Sequence, residues 1–156
     1  MTQKSSHEKP GIFLDASCWV AAAGSPTGGS ALILKLARRG YLQIMATKRI
    51  LLEAERNINS KMGEEALLHY YQELGATEVE LIDPPTAEEE ARWRYLVAEK
   101  DCHVLAGAFK AYADVLVSLD RRHILTEKVE REFPITVMDT NDFLKEFIDK
   151  LEISKS

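Results

Sequence analysis

Five short apolar runs, each separated from the next by a longer segment, constrain this chain more than any other feature. They fall in 11–14, 41–46, 77–82, 114–118 and 135–138, and the segments between them carry helical signals. Two strands joined by a dozen or more residues of helix pair in parallel, because a tight hairpin is excluded. Repeated strand–helix alternation therefore predicts a mostly parallel sheet covered by helices on both faces, a three-layer α/β/α sandwich. The run DVLVS (114–118) is apolar on both sides of the chain, as a strand buried on both faces must be.

Local punctuation agrees. SPTGGSALILKLARRG reads as a helix with Ser25 as its cap, Pro26 near its start and Gly40 as its stop. Thr47 reads as the cap of KRILLEAERNINSKM, and EEALLHYYQELG (64–75) as a helix closed by Gly75. TAEEEARWRYLVAEK opens with a capping box, Thr86 to Glu89. DCHVLAGAFKAYA (101–113) is a small-residue helix suited to close packing on a sheet.

A chain of 156 residues is long enough for one domain with a sizeable core. We expect residues 1–10 to be a disordered tail or a cloning remnant, and 11–153 to form that domain. No apolar run approaches the ~18 residues that cross a bilayer, so no membrane association is expected. Two cysteines, Cys18 and Cys102, are too few for a disulfide scaffold and suit free thiols in the reducing cytoplasm. A net charge of −5 argues against a protein that simply coats nucleic acid. It leaves room for an enzyme that gathers cations in an acidic pocket.

In open parallel sheets, ligands bind beyond the carboxyl ends of the strands. Asp15 follows the first apolar run and Asp120 follows the fourth, so topology delivers both to that edge. Asp101 opens the helix leading into the fourth strand, where its carboxylate could cap free backbone N–H groups. A fourth acid, Glu53 or Glu55, lies only about 9 Å into the helix after Thr47. Periodicity leaves the two open, since they flank the apolar stripe of Ile50, Ala54 and Ile58 on opposite sides. Each acid also has an ordinary role as a cap, turn or solvated residue. Gathered at one rim, however, two carboxylates ~4 Å apart repel by roughly 4 kcal/mol at an effective dielectric of 20. A divalent cation relieves that repulsion, and an all-oxygen set suits Mg²⁺ or Mn²⁺ rather than zinc. Metal-assisted hydrolysis of a phosphodiester is the chemistry such a site implies. His103 and His123 read as surface or packing residues.

IFLDAS, TKRILLEAE, KDCHVLAGAFKAYADVLVSLDRRHI and the tail ITVMDTNDFL together resemble the PIN domain family over residues 11 to about 147. The resemblance implies a PIN-like fold and a Mg²⁺- or Mn²⁺-dependent ribonuclease, often the toxin of a toxin–antitoxin pair. It makes Asp15, Glu53, Asp101 and Asp120 the catalytic and metal-binding acids, favouring Glu53 over Glu55. Ser118 and Ser17 match supporting positions, whereas Ala16 replaces the usual hydroxyl residue after the first Asp. RNA as substrate, a small antitoxin as partner and pairing as a homodimer follow from the same resemblance.

Arg121 and Arg122, just past Asp120, are the first candidates for phosphate contacts, with Lys48 and Arg49 second. The tyrosines and tryptophans of 70–95 read as packing rather than as stacking platforms for bases. Two rival readings remain: a non-catalytic RNA- or protein-binding module of the same fold, and a phosphatase with Asp15 as nucleophile. The latter needs a second Asp two residues on, where this chain has Ser17.

Overall fold

A computed structural model describes residues 9–155 of the chain. The expected N-terminal tail lies outside the described residues, apart from positions 9 and 10. The strands are β1 (Gly11–Leu14), β2 (Gln43–Thr47), β3 (Val79–Ile82), β4 (Val115–Val117) and β5 (Thr136–Met138). They form one sheet in the order β3-β2-β1-β4-β5, and every pairing is parallel. The expected mostly parallel sheet is thus wholly parallel.

The helices are α1 (Ala16–Gly24), α2 (Gly29–Arg38), α3 (Lys48–Lys61) and α4 (Glu64–Ala76), then α5 (Ala87–Ala91), α6 (Cys102–Lys110), α7 (Glu127–Glu132) and α8 (Thr140–Lys155). From β1 the chain winds outward to β2 and β3, then returns to β4 and β5 on the other side. Right-handed crossovers in opposite directions place their helices on opposite faces of the sheet. Accordingly α1 packs against α2, α3 and α4, while α5 packs against α6. The strand order reverses between β1 and β4, which opens a crevice at their carboxyl ends.

Packing fixes this seam. Phe13 is fully buried and faces α6, where Gly107 leaves room for it. A Cβ on Gly107 would stand 2.7 Å from Phe13 Cζ and 3.2 Å from Thr47 Cγ2. On the opposite face Trp19 and Tyr70 meet edge to face at 6.2 Å, joining α1 to α4. The segment after residue 60 therefore packs as part of the helical layer.

Thr47 caps α3 by accepting from the Ile50 N–H at 3.2 Å, as expected. The Thr86–Glu89 capping box also forms, with bonds of 2.8 and 3.1 Å. Its helix is shorter than expected, because the chain turns after Ala91 to bury Trp93 against Phe109 and Phe133. Gly28, not Ser25, caps α2, because α1 occupies the preceding residues and ends on Ser25. Gly40 does stop that helix region, at φ +88°, a conformation most side chains disfavour. Gly75 lies inside α4 and closes nothing. Among the described residues no helix is long and apolar enough to cross a membrane, and both cysteines are free and buried.

Candidate functional site at the carboxyl edge of the sheet

Asp15 sits one residue beyond β1, and its N–H donates to Val117 O at 3.0 Å, extending the β1–β4 ladder. Its backbone is extended, so the side chain swings back to cap α1, and Oδ1 accepts from the Ala16 N–H at 2.8 Å. Oδ2 accepts from Ser118 Oγ at 2.7 Å. Only 5% of the residue is exposed. Burial pushes its carboxyl above the usual range, against the pull of the Ser118 and Ala16 bonds, and the charges of Glu53 and Asp120 push the same way. The charges of two acids from distant parts of the sequence therefore bear on a third at the strand-order reversal.

Ser118 follows β4 and is fully buried. While donating to Asp15 it accepts from the Asp120 N–H at 3.1 Å, so one hydroxyl ties the ends of β1 and β4 together. Ser17 Oγ accepts from the Leu119 N–H at 3.0 Å and lies 3.5 Å from Asp15 Oδ2, bracing the same loop. Asp120 Oδ1 accepts from the N–H groups of Arg122 and His123 at 3.1 and 3.0 Å, and Oδ2 lies 3.1 Å from His123 Nδ1. Its ordinary role as a turn residue is therefore real, alongside its proximity to Asp15.

Glu53 and Glu55 diverge as their helical positions require. Glu53 Oε1 lies 3.5 Å from Nε2 of His103, a residue of α6 that is only 2% exposed. That imidazole is the leading cause holding the Glu53 carboxyl below its usual range. Glu55 instead faces Tyr71 of α4, whose phenol is pushed upward by partial desolvation and by the Glu55 carboxylate.

Asp101 ends a 3₁₀ turn (Glu99–Asp101) and precedes α6 with φ −102° and ψ −8°. It makes no side-chain capping bond, contrary to expectation. Capping requires an extended backbone at that position, and here the turn has already made it helical. Its Oδ2 is left buried without a hydrogen-bond partner. Unpartnered buried carboxylate oxygens are costly, and a ligand ion is one way to satisfy them.

Among the described residues no three His, Cys, Asp or Glu side chains already form a cage for a metal ion. The donor set nevertheless fits a hard cation: it is all oxygen, it includes a raised buried carboxyl, and it includes the orphaned oxygen of Asp101.

The basic residues divide. Arg121 is spoken for: its Nη2 pairs with Asp139 just past β5. Arg122 is exposed. Lys48 and Arg49 begin α3 on the other side of the site and line a cleft with His103, Arg49 standing 3.7 Å from Glu90. Sequence reasoning missed the His103, His123 and Asp139 partnerships. Asp139 alone had a signal, an acid directly after an apolar strand.

An all-parallel three-layer α/β protein with carboxylates at its strand-order reversal is the class that fold and geometry define. A family model for the PIN domain matches residues 11–122, and the chain belongs to that family, whose members are typically nucleases. Solved structures share the fold at low identity. PAE2754 from Pyrobaculum aerophilum is 16% identical with a TM-score of 0.61, over 90% of this chain and 96% of that one. VapC20 of Mycobacterium tuberculosis, a sarcin–ricin loop cleaving toxin, is 18% identical with a TM-score of 0.55, over 78% and 95% of the two chains. VapBC2 from Rickettsia felis, solved with a promoter DNA fragment, is 14% identical with a TM-score of 0.59, over 83% and 98%. A search of curated protein sequences finds no significant match.

Proposed function

We propose that this chain is a divalent-cation-dependent endoribonuclease that hydrolyses RNA phosphodiester bonds at the carboxyl edge of β1 and β4. The observation that carries the reading is Asp15: a buried carboxylate at the strand-order reversal, raised by burial and by the charges of Glu53 and Asp120. Asp15, Glu53, Asp101 and Asp120 would hold Mg²⁺ or Mn²⁺. A hard cation held by these carboxylates would supply Lewis-acid stabilisation of phosphate charge and help activate water. Ser118 fixes the rotamer of Asp15, Ser17 braces the loop that carries Asp120, and His103 holds Glu53 toward the site. Among the described residues Arg122 has no ion-pair partner and can meet a backbone phosphate, whereas Arg121 must first release Asp139. Water attacks phosphorus in line and the P–O bond to the leaving nucleoside breaks, so no covalent enzyme intermediate is needed.

RNA as substrate and a small antitoxin protein as partner are part of this reading, supported by likeness to a sarcin–ricin loop cleaving toxin and to VapBC2. We extend the reading to a homodimer, and to the cytoplasm, where two free buried thiols would stay reduced.

The test is cleavage of a structured RNA panel with Mn²⁺, with EDTA, and with Asp101→Asn protein purified identically. Cutting by the parent that needs metal and disappears in the variant supports the reading. Equal cutting by both proteins points to a contaminant. A second reading, a non-catalytic RNA- or protein-binding module, draws on the hydrogen bonds that already occupy Asp15 and Asp120. Folded parent protein that cuts nothing under any metal favours it.

A further inference from the structure

Between the start of α3 and the loop after β3 lies a cleft of about 540 Å³, lined by Lys48, Arg49, Arg56, Leu52, the Pro84–Pro85 pair and His103, among others. This volume falls within the ~300–1,000 Å³ of sites that enclose small ligands. Three of its lining side chains are cations and one, Glu90, is a carboxylate, in a chain of net charge −5. Glu90 engages Arg49 loosely at 3.7 Å, and among the described residues Lys48 and Arg56 have no carboxylate within ion-pair distance, although the charges of Arg49 and Arg56 act on Glu53. Exposed cations grouped on an acidic protein mark a place for an anion.

The cleft has two kinds of surface. Lys48, Arg49 and Arg56 are exposed on α3. Leu52, 45% exposed, lies between Lys48 and Arg56 on the same helix face, and Pro84 and Pro85 of the loop after β3 contribute rigid apolar rings. The proline loop is held in place: Lys110 Nζ donates to Pro84 O at 3.3 Å and to Glu89 Oε1 at 2.9 Å. Anion-binding groups beside an apolar surface match a nucleotide, with its charged phosphate and its planar base. The cleft also joins the acidic site, because His103 lines it while its Nε2 lies 3.5 Å from Glu53 Oε1.

Building on the ribonuclease reading, we propose that this cleft is a nucleotide subsite flanking the scissile phosphate. It takes an unpaired nucleotide of the RNA strand, with phosphates on Lys48 and Arg56 and the base against Leu52 and Pro84–Pro85. The strand then runs from the acids toward α3. A base held this way cannot remain in a duplex, so the subsite selects single-stranded RNA.

The experiment is fluorescence anisotropy of a labelled, unstructured RNA oligonucleotide in EDTA, where no turnover can occur. Lys48→Ala and Arg56→Ala are each expected to weaken binding roughly tenfold, as loss of a charged hydrogen bond does. Each should also flatten the slope of log K against log salt by ~0.7, one phosphate contact on a single strand. Lys150→Ala on α8, remote from the cleft, should change neither. Leu52→Ala should weaken binding without altering the salt slope. Unchanged affinity and slope in both cation variants overturns the subsite, as does competition by polyglutamate as effective as by RNA, or equal affinity for duplex RNA. The two claims fail separately. RNA held in the cleft but never cut under Mn²⁺ overturns hydrolysis and leaves the subsite. Cleavage by Lys48→Ala/Arg56→Ala protein with unchanged KM leaves hydrolysis and overturns the subsite.

Discussion

The Ser118 hydroxyl donates to Asp15 Oδ2 at 2.7 Å across the point where the strand order reverses, so the buried carboxylate and the end of β4 are fixed by one bond. Ser118 Oγ in turn accepts from the Asp120 N–H. Ser118→Ala removes both partners inside the protein and leaves a buried carboxylate oxygen short of a donor. We expect a loss of about 1–3 kcal/mol in denaturant unfolding, with the m-value unchanged. A loss below a few tenths would show that the bond contributes little.

The raised Asp15 carboxyl makes stability depend on pH in a defined direction. Its proton is held more tightly in the folded protein than in the unfolded chain, which stabilises the fold below the unfolded value and ceases to do so as pH rises through the folded one. Asp15→Asn carries no charge at any pH. In EDTA its stability relative to the parent should therefore climb as pH rises above about 4 and level off once Asp15 is ionised. A difference that stays flat with pH contradicts this account of the carboxylate.

His103 holds the Glu53 carboxyl below its usual range. In His103→Leu, carboxyl-carbon NMR should show Glu53 titrating at higher pH than in the parent. Coincident Glu53 curves in the two proteins would remove His103 from its positioning role.

Gly107 lets α6 lie directly on β1. A Cβ there would meet Phe13 Cζ at 2.7 Å, and Phe13 is fully buried with little room to move. Gly107→Ala should cost about 1–3 kcal/mol by overpacking, despite the better helix propensity of alanine. Thermal unfolding of the variant decides the sign.

Much of this architecture was legible because apolar runs spaced by helix-length segments permit few topologies. The strand-end acids Asp15 and Asp120 follow from the same rule, and Asp139, directly after β5, obeys it too. Helix α1 gave no periodic signal, since its sequence ASCWVAAAG is small and largely buried. The shortening of α5 depended on Trp93 finding Phe109 and Phe133, contacts made only once the sheet is assembled. The pairing of Glu53 with His103 joins α3 to α6 across fifty positions, and Arg56 shares a cleft with the Pro84–Pro85 pair, which is distant in sequence. Relations of that kind belong to tertiary packing and have no local sequence signature.

The central claim is that the acids at the carboxyl edge hold a divalent cation, and isothermal titration with Mn²⁺ tests it most directly. The parent protein should bind Mn²⁺, and Asp15→Asn and Asp101→Asn should each weaken binding by roughly tenfold or more while remaining folded. Equal Mn²⁺ affinity in the parent and both variants, or no binding by folded parent protein, would contradict it.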